Sequence, residues 1–254
     1  MSTLADTPAT RPDVTILIPA YNEEDTIAHV LERVLALPIS KEVVVVDDCS
    51  TDRTSQIAEQ YAKRILLLRH ERNRGKGAAI RTGLERATGE VTIIQDADLE
   101  YSPEEIPNLV EPILRGEQDV VYGTRFRDGF PGGMALPNRV VNVLLRWAVR
   151  LLYGRRVSDE ATCYKAVRTS VLRQMNLVCE RFEFCPEVTA KAIRMGKHIH
   201  EVPIRYEPRS KEAGKKIRWT DGVEAFWTLL RHRFSRFRRP SPAPSRPARD
   251  RIEE

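Results

Sequence analysis

Asp96 and Asp98 follow the apolar run Val91–Gln95, in the order Asp96-Ala-Asp98-Leu-Glu100. On extended backbone, residues i and i+2 project to the same side. Two carboxylates placed so, just past a buried strand, can hold one divalent cation and leave room for substrate oxygens. Mg²⁺ typically takes one or two carboxylates together with phosphates and waters. A second acidic pair, Asp47-Asp48, follows Val43–Val46. Such a pair either caps the next helix or accepts hydrogen bonds from a base or ribose. Asp52 reads as the cap and Asp48 as the ligand contact. Asn73-Arg-Gly75-Lys76-Gly77 opens a helical pattern, where glycines permit close backbone approach and Lys76 can offset phosphate charge. The segment is not a P-loop, and with Ile80 in the third glycine position it is not G-x-G-x-x-G either.

These groups need elements that bring them together. Val14–Pro19, Val43–Asp47, Arg64–Leu68, Val91–Gln95 and Val120–Gly123 read as short strands buried on both faces. Helical patterns lie between them at Glu24–Leu37, Asp52–Tyr61, Gly75–Ala87 and Pro103–Leu114, the last with Ser102 as a cap and Pro103 at its first position. This alternation predicts an α/β fold with a mostly parallel central sheet and right-handed crossovers. Ligands of such sheets bind beyond the carboxyl ends of the strands. Here those ends carry Pro19-Ala-Tyr-Asn-Glu23, Asp47–Asp52, Asp96–Glu100 and Gly123-Thr-Arg125, so four ends describe one site.

The second half reads as elaboration on the same core, since it has too few strands for another sheet. Pro137–Tyr153, Phe184–Met195 and Thr220–Phe237 are helix candidates, and His198–Tyr206 alternates as a strand. Residues 1–12 are expected to be a loose arm, 13–238 one domain, and 239–254 a disordered Pro/Arg-rich tail. No stretch approaches the roughly 20 apolar residues of a membrane span, and none reads as a signal peptide. The four cysteines (Cys49, Cys163, Cys179, Cys185) form no metal or redox spacing, which points to free thiols in a reducing compartment. The five histidines do not cluster.

Charge is divided between the halves. Residues 1–130 hold 15 Lys+Arg against 23 Asp+Glu, net −8, and residues 131–254 hold 26 against 13, net +13. An acidic half joined to a basic one suggests a cation site beside an anionic partner: nucleic acid, a lipid phosphate or a membrane surface. Arg139, Arg146 and Arg150 fall on one helical stripe among Val140, Val143, Leu144, Trp147, Leu151 and Leu152. Phe234 and Phe237 interleave with arginines in Arg231–Arg239. Two basic amphipathic segments favour peripheral contact with an anionic membrane, although the first is also readable as a core helix with a basic edge. RNA is the alternative for this charge pattern, without any RNP, KH or zinc-knuckle signature to support it.

In their order, these motifs resemble family-2 glycosyltransferases of the GT-A fold, and most of all the dolichyl- or polyprenyl-phosphate mannosyl/glucosyl transferases. The matching pieces are Pro19-Ala-Tyr-Asn-Glu23, Val45–Asp52, Asn73–Gly77, Asp96–Glu100, Gly123-Thr-Arg125, Asp159 with Thr162–Lys165, and Glu201–Ile204. They span about residues 13–235. The resemblance implies a GT-A central sheet with helices on both faces plus C-terminal amphipathic helices. It implies donor binding by Pro19, Tyr21, Glu23, Val46, Asp48, Lys76, Asp96, Ala97 and Lys216, with Lys215 as the neighbouring candidate. Asp96, Asp98 and Glu100 would hold Mg²⁺ or Mn²⁺, and Arg125, Arg139 and Arg209 would gather around an acceptor phosphate. Asp98, Arg125 and Asp159 would be the catalytic set. A hydroxyl that helps hold the acceptor in the group is replaced by Val143, beside Asn142.

The reaction so implied moves a hexose, mannose or glucose, from a nucleotide sugar to a polyprenyl phosphate, with inversion. It places the enzyme at the cytoplasmic face of the membrane, with no nucleic-acid partner. A phosphate acceptor is already ionised, so no strong base is needed; for a hydroxyl acceptor, Asp98 or Asp159 would act as base. Alternatives are a glycan or small-molecule acceptor, a nucleotidyltransferase, and a basic nucleic-acid-binding protein without turnover.

Overall fold

The aliphatic runs become neighbouring strands because each can bury both faces. In the computed structural model, which describes residues 11–126, 129, 130, 134, 136–207 and 219–236, the first half alternates regularly. Its strands are β1 (Val14–Ala20), β2 (Lys41–Asp47), β3 (Leu66–Arg69), β4 (Val91–Ile94) and β5 (Val120–Thr124). Its helices are α1 (Ile27–Ala36), α2 (Thr54–Glu59), α3 (Lys76–Arg86) and α4 (Ile106–Leu114). The chain continues through α5 (Leu136–Tyr153), β6 (Lys165–Arg168), α6 (Thr169–Gln174), α7 (Phe184–Arg194), β7 (Ile199–Pro203) and α8 (Trp219–Phe234).

All seven strands form one sheet in the order β3-β2-β1-β4-β6-β5-β7. Pairing is parallel throughout except at β6, which runs antiparallel to β4 and β5. Helices cover both faces, as the fold class requires. On one face Ile16 and Ile18 of β1 pack with Ile27, Val30, Leu31 and Val34 of α1, the i, i+3, i+4, i+7 stripe of an amphipathic helix. On the other, Leu17 meets Ile80 of α3 and the apolar faces of α5 and α7. Each such fully buried aliphatic side chain contributes roughly 1.5–3 kcal/mol.

The sequence pattern does not announce β6 and α6. Lys165-Ala-Val-Arg168 shows only two apolar residues between two cations, and each cation finds at least one partner in a distant part of the chain. The Lys165 ammonium bonds the Glu160 carbonyl at 2.7 Å and lies 3.7 Å from the Tyr122 ring centroid. Arg168 pairs with Glu90 at 2.5 Å and Asp119 at 2.7 Å. Because β6 runs backwards, the segment entering it arrives at the carboxyl ends of the parallel strands. Reversal of this one strand therefore delivers residues 158–164 to the site.

Two capping expectations resolve differently. Asp52 lies one residue before the cap position of α2 yet accepts the Thr54 amide at 2.9 Å and the Glu24 amide at 3.1 Å. Ser102 occupies the cap position of the short 3₁₀ turn Pro103–Glu105, but its side chain makes no cap bond; its carbonyl accepts the Glu105 amide instead.

The glycines that open α3 also serve an unexpected partner. The amides of Gly77 and Ala78 donate to the carbonyls of Arg181 and Glu180, each at 3.0 Å. A Cβ on Gly77 would sit 2.9 Å from Cys179 Sγ and 3.0 Å from the Arg181 carbonyl oxygen. Close approach is thus to the protein's own 179–181 segment, and these two amides are not offered to a phosphate. Gly75 has φ +91°, and a Cβ there would collide with the Glu180 carbonyl. Gly75→Ala is expected to lower stability by about 2–4 kcal/mol, read as a fall in the chemical-denaturation midpoint at unchanged slope.

Candidate active site

The loops beyond β1, β2, β4 and β5 enclose a cleft of about 440 Å³, completed by the start of α3 and by the segments before β6 and α7. The first two loops are laced into one ledge. Asn22, in the left-handed region at φ 50°, receives a hydrogen bond from the Thr51 amide on its Oδ1 at 2.8 Å and donates its own amide to Ser50 Oγ at 3.0 Å. The Glu23 amide donates to Thr54 Oγ1 at 2.8 Å. Thr26 Oγ1 donates to the Ala97 carbonyl at 2.7 Å, joining this ledge to the Asp96–Glu100 loop. Pro19, Tyr21 and Glu23 line the cleft from here.

Asp48 lines the cleft too, but its carboxylate is engaged by the protein. Oδ1 accepts from His70 Nδ1 at 2.6 Å and the Arg74 amide at 2.9 Å, and Oδ2 accepts the Gly75 amide at 2.7 Å. Asp48 therefore sets where α3 begins, and so where Lys76 stands. Lys76 is the first residue of that helix, and its Nζ reaches Asp96 Oδ1 at 2.5 Å and Cys163 Sγ at 3.1 Å. Burial works against its charge, yet Asp96 holds the ammonium protonated well above the ordinary lysine range.

Three carboxylates crowd the loop after β4. Burial, then the negative charges of Asp96 and Glu100, push the Asp98 carboxyl up to about 7. Asp98 Oδ1 accepts the Glu100 amide at 3.1 Å, an Asx turn that Leu99 completes at φ 62°. Glu100 Oε2 accepts the Tyr206 hydroxyl at 2.9 Å. Among the described residues no three His, Cys, Asp or Glu side chains gather into a metal cage. The expected trio of Asp96, Asp98 and Glu100 lines the cleft together, with Glu100 Oε2 engaged by Tyr206. Asp96 and Asp98 nevertheless fit a hard cation: their oxygens are of the right type, and crowding that keeps a carboxyl protonated near neutrality marks a place where added positive charge is favourable.

Arg125 lines the same cleft on the other side of its chemistry. Its Nε and Nη2 bond Asp159 at 2.7 Å each, and its amide bonds Asp159 Oδ2 at 2.9 Å. Asp159 is 0% exposed, does not line the cleft and has both oxygens on Arg125. It positions Arg125; an enclosed, ion-paired carboxylate is not placed to act as a base, which corrects the expected role. Glu201 in turn fixes the 158–159 turn by accepting the Ser158 and Asp159 amides at 2.9 and 3.1 Å. The Arg125 guanidinium lies 4.9 Å from the Tyr206 ring centroid and 5.1 Å from that of Phe126.

The remaining expectations divide. Ala97 lines the cleft. Val46 does not: it is 0% exposed and packs with Val44 and Ala79 beneath the ledge. Arg139 donates to the Met134 carbonyl at 2.9 Å and stands 5.8 Å from the Phe130 ring centroid, outside the cleft lining. Arg146 lies 5.5 Å from the Phe126 centroid, and Phe126 and Phe130 stack edge-on at 5.0 Å. Arginines 125, 146 and 139 are therefore linked through two phenylalanines that sequence reasoning passed over. Arg209, Lys215 and Lys216 lie outside the described residues. Tyr101, Tyr206 and Cys163 were also missed; Tyr101 and Tyr206 join by a bridge and ring contact at 5.3 Å, a pairing between remote segments that no local signal predicts.

The sequence model of glycosyl transferase family 2 matches residues 15–175, which includes every loop of this cleft up to β6. The chain belongs to glycosyl transferase family 2. Similar proteins include the undecaprenyl-phosphate 4-deoxy-4-formamido-L-arabinose transferase of Edwardsiella ictaluri, 32% identical over 210 residues covering 80% of this chain and 62% of that protein. The UDP-N-acetylglucosamine–dolichyl-phosphate N-acetylglucosaminyltransferase of Methanococcus voltae is 29% identical over 85% of this chain and 94% of its own length. The chain spans only 62% of the Edwardsiella relative and 60% of its Pseudomonas aeruginosa counterpart. Glucosyl-3-phosphoglycerate synthase of Mycobacterium tuberculosis, in complex with Mn²⁺, UDP and phosphoglyceric acid, shares the fold at a TM-score of 0.68 and 23% identity, over 88% of this chain and 79% of that one. The family 2 fold is accordingly the GT-A-like mixed sheet described above.

For this family 2 chain the Asp98 shift has a measurable consequence. A carboxyl raised from near 4 to about 7 on folding contributes stability that is fully present below the unfolded value and lost as pH rises through about 7. The melting temperature of the metal-free protein should fall between about pH 4 and 7 and level off above that, and Asp98→Asn should flatten that decline.

Proposed function

We propose that this family 2 member transfers a sugar from a nucleotide-sugar donor to a polyprenyl phosphate. The observation that carries the reading is one cleft holding both an acidic pair with Lys76 and, separately, an Asp159-anchored arginine among aromatic rings. The first suits a nucleoside diphosphate and its cation, the second an anionic acceptor. The names of the relatives support a polyprenyl or dolichyl phosphate acceptor. They carry a formamido-arabinose and an N-acetylglucosamine, so mannose or glucose is a reading of the motifs alone.

In the mechanism, Asp96 and Asp98 would hold Mg²⁺ or Mn²⁺, which when bound supplies charge stabilisation to the departing diphosphate. Lys76 adds a second positive charge to the same leaving group. Pro19, Tyr21, Glu23 and Ala97 shape the donor side, with Asp48 acting through the loop it organises. Arg125, locked by Asp159, orients the acceptor phosphate, whose oxygen attacks the anomeric carbon from the face away from the diphosphate and inverts it. The ionised acceptor needs no base. Arg139, Arg209 and Lys216 remain proposed contributors.

Nucleoside diphosphate release from a panel of nucleotide sugars should require polyprenyl phosphate; release with 3-phosphoglycerate instead would assign a small acceptor, and release with neither would sink the transferase reading. Asp98→Ala should cut turnover by about 100-fold or more. Arg125→Ala should lower turnover on the lipid while changing nucleotide affinity by less than about threefold.

The acceptor class is also consistent with one surface. No helix among the described residues is long and apolar enough to cross a membrane. On α5, however, Leu136, Val140, Leu144, Trp147 and Leu151 are exposed, while Leu145, Ala148 and Val149 face the core. On α8, which packs beside α5, Val223, Phe226, Trp227 and Phe234 are exposed. Of the two readings of this helix, the core helix with a basic edge fits less well: the outward stripe is apolar, Arg139 and Arg146 lie against Phe130 and Phe126, and Arg150 lies 5.3 Å from the Trp147 ring. We propose that this face rests on an anionic membrane at the cytoplasmic side. Co-sedimentation with phosphatidylglycerol vesicles should be lost in Trp147→Ser/Leu151→Ser, and equal binding by that variant would remove the face from consideration.

A further inference from the structure

Lys76 is ion-paired with a carboxylate assigned above to the proposed cation. Its Nζ lies 2.5 Å from Asp96 Oδ1, and the side chain is held there from two directions. At its root, Asp48 accepts the Arg74 and Gly75 amides and fixes the first turn of α3. At its tip, Cys163 Sγ lies 3.1 Å from the ammonium. An ammonium and a divalent cation repel each other, and in a shielded cleft that repulsion is stronger than in water. Both cannot sit on the Asp96 carboxylate without a large cost. A diphosphate in the same cleft offers Lys76 another set of anionic oxygens.

We propose that Lys76 competes with the divalent cation for Asp96, and that a nucleoside diphosphate relieves the competition by drawing the ammonium to its own oxygens. Lys76 then adds to the coupling that the direct attraction between cation and diphosphate supplies: each binds more weakly alone than with the other. This rests on the donor reading above. By linkage, the factor by which nucleotide tightens cation binding equals that by which cation tightens nucleotide binding, and couplings of this kind run from about 5- to 150-fold.

The test is Mn²⁺ binding to the full chain, followed by the electron paramagnetic resonance signal of the free ion. It is run alone and with UDP or GDP, allowing for Mn²⁺ held by free nucleotide. The wild-type protein should bind Mn²⁺ about tenfold more tightly with the matching nucleotide. Lys76→Met should bind Mn²⁺ about tenfold more tightly than wild type without any nucleotide, and the nucleotide effect should be smaller than in wild type, keeping only the direct attraction between cation and diphosphate. Lys76→Arg, which keeps the charge and guards against a folding artefact, should retain weak nucleotide-free binding. Arg181 lines the same cleft, and Arg181→Met serves as the control for bulk charge, expected within about twofold of wild type. Unchanged or weaker Mn²⁺ binding by Lys76→Met overturns the proposal, as does an equal gain in Arg181→Met. Failure of both UDP and GDP to bind would refute the donor reading, whereas the nucleotide-free comparison still decides whether Lys76 and the cation compete.

Discussion

Three carboxylates within five residues, Asp96, Asp98 and Glu100, stand at the end of a buried strand, and the cleft is arranged around their mutual repulsion. Burying like charges together is costly unless positive charge, hydrogen-bond donors or protons arrive to offset it. Each of the three is met differently. Lys76 comes to Asp96 from α3, the Tyr206 hydroxyl comes to Glu100 from beyond β7, and Asp98 holds its proton up to about 7. The backbone of the same loop is tied down by Thr26 on the Ala97 carbonyl. Elements far apart in the chain thus converge on one short loop because its charge has to be managed.

Other acids in the neighbourhood behave in the opposite way. Asp48 organises the turn into α3, Asp159 clamps Arg125, and Glu201 holds the turn that carries Asp159. Their oxygens are consumed by amides and guanidinium groups, so they build the scaffold on which the reactive groups are positioned. Composition alone does not separate these acids from the crowded ones. The distinction is the number of donors each carboxylate finds, which depends on which loops meet.

One reversed strand matters out of proportion to its length. Were β6 parallel, residues 158–164 would emerge at the far end of the sheet and Arg125 would have no buried partner. Of its two end cations, Lys165 is settled by the nearby Glu160 carbonyl and the remote Tyr122 ring, and Arg168 by the remote Glu90 and Asp119. The later helices show a comparable division. Leu145, Ala148 and Val149 of α5 complete the core, while Trp147 and Leu151 turn outward beside the exposed aromatic residues of α8.

The α/β class, the five parallel strands of the first half, the helices between them and the four strand ends that meet at a site could all be read along the chain. Apolar runs and 3.6-residue periodicity are local, and a parallel sheet places all its carboxyl ends on one side. Asp48, Asp96 and Asp98 were legible on that ground, Lys76 from the glycines that open a helix, and Pro19, Tyr21, Glu23, Ala97, Glu100 and Arg125 through the resemblance, and all line the cleft. The folded chain was needed to show that β6 runs backwards, that Val46 is core, that Gly75 and Gly77 make room for the 179–181 segment, that Glu100 bonds Tyr206 and that Asp159 holds Arg125. Those outcomes depend on which donor reaches which oxygen across tens of residues, and no spacing along the chain encodes that meeting.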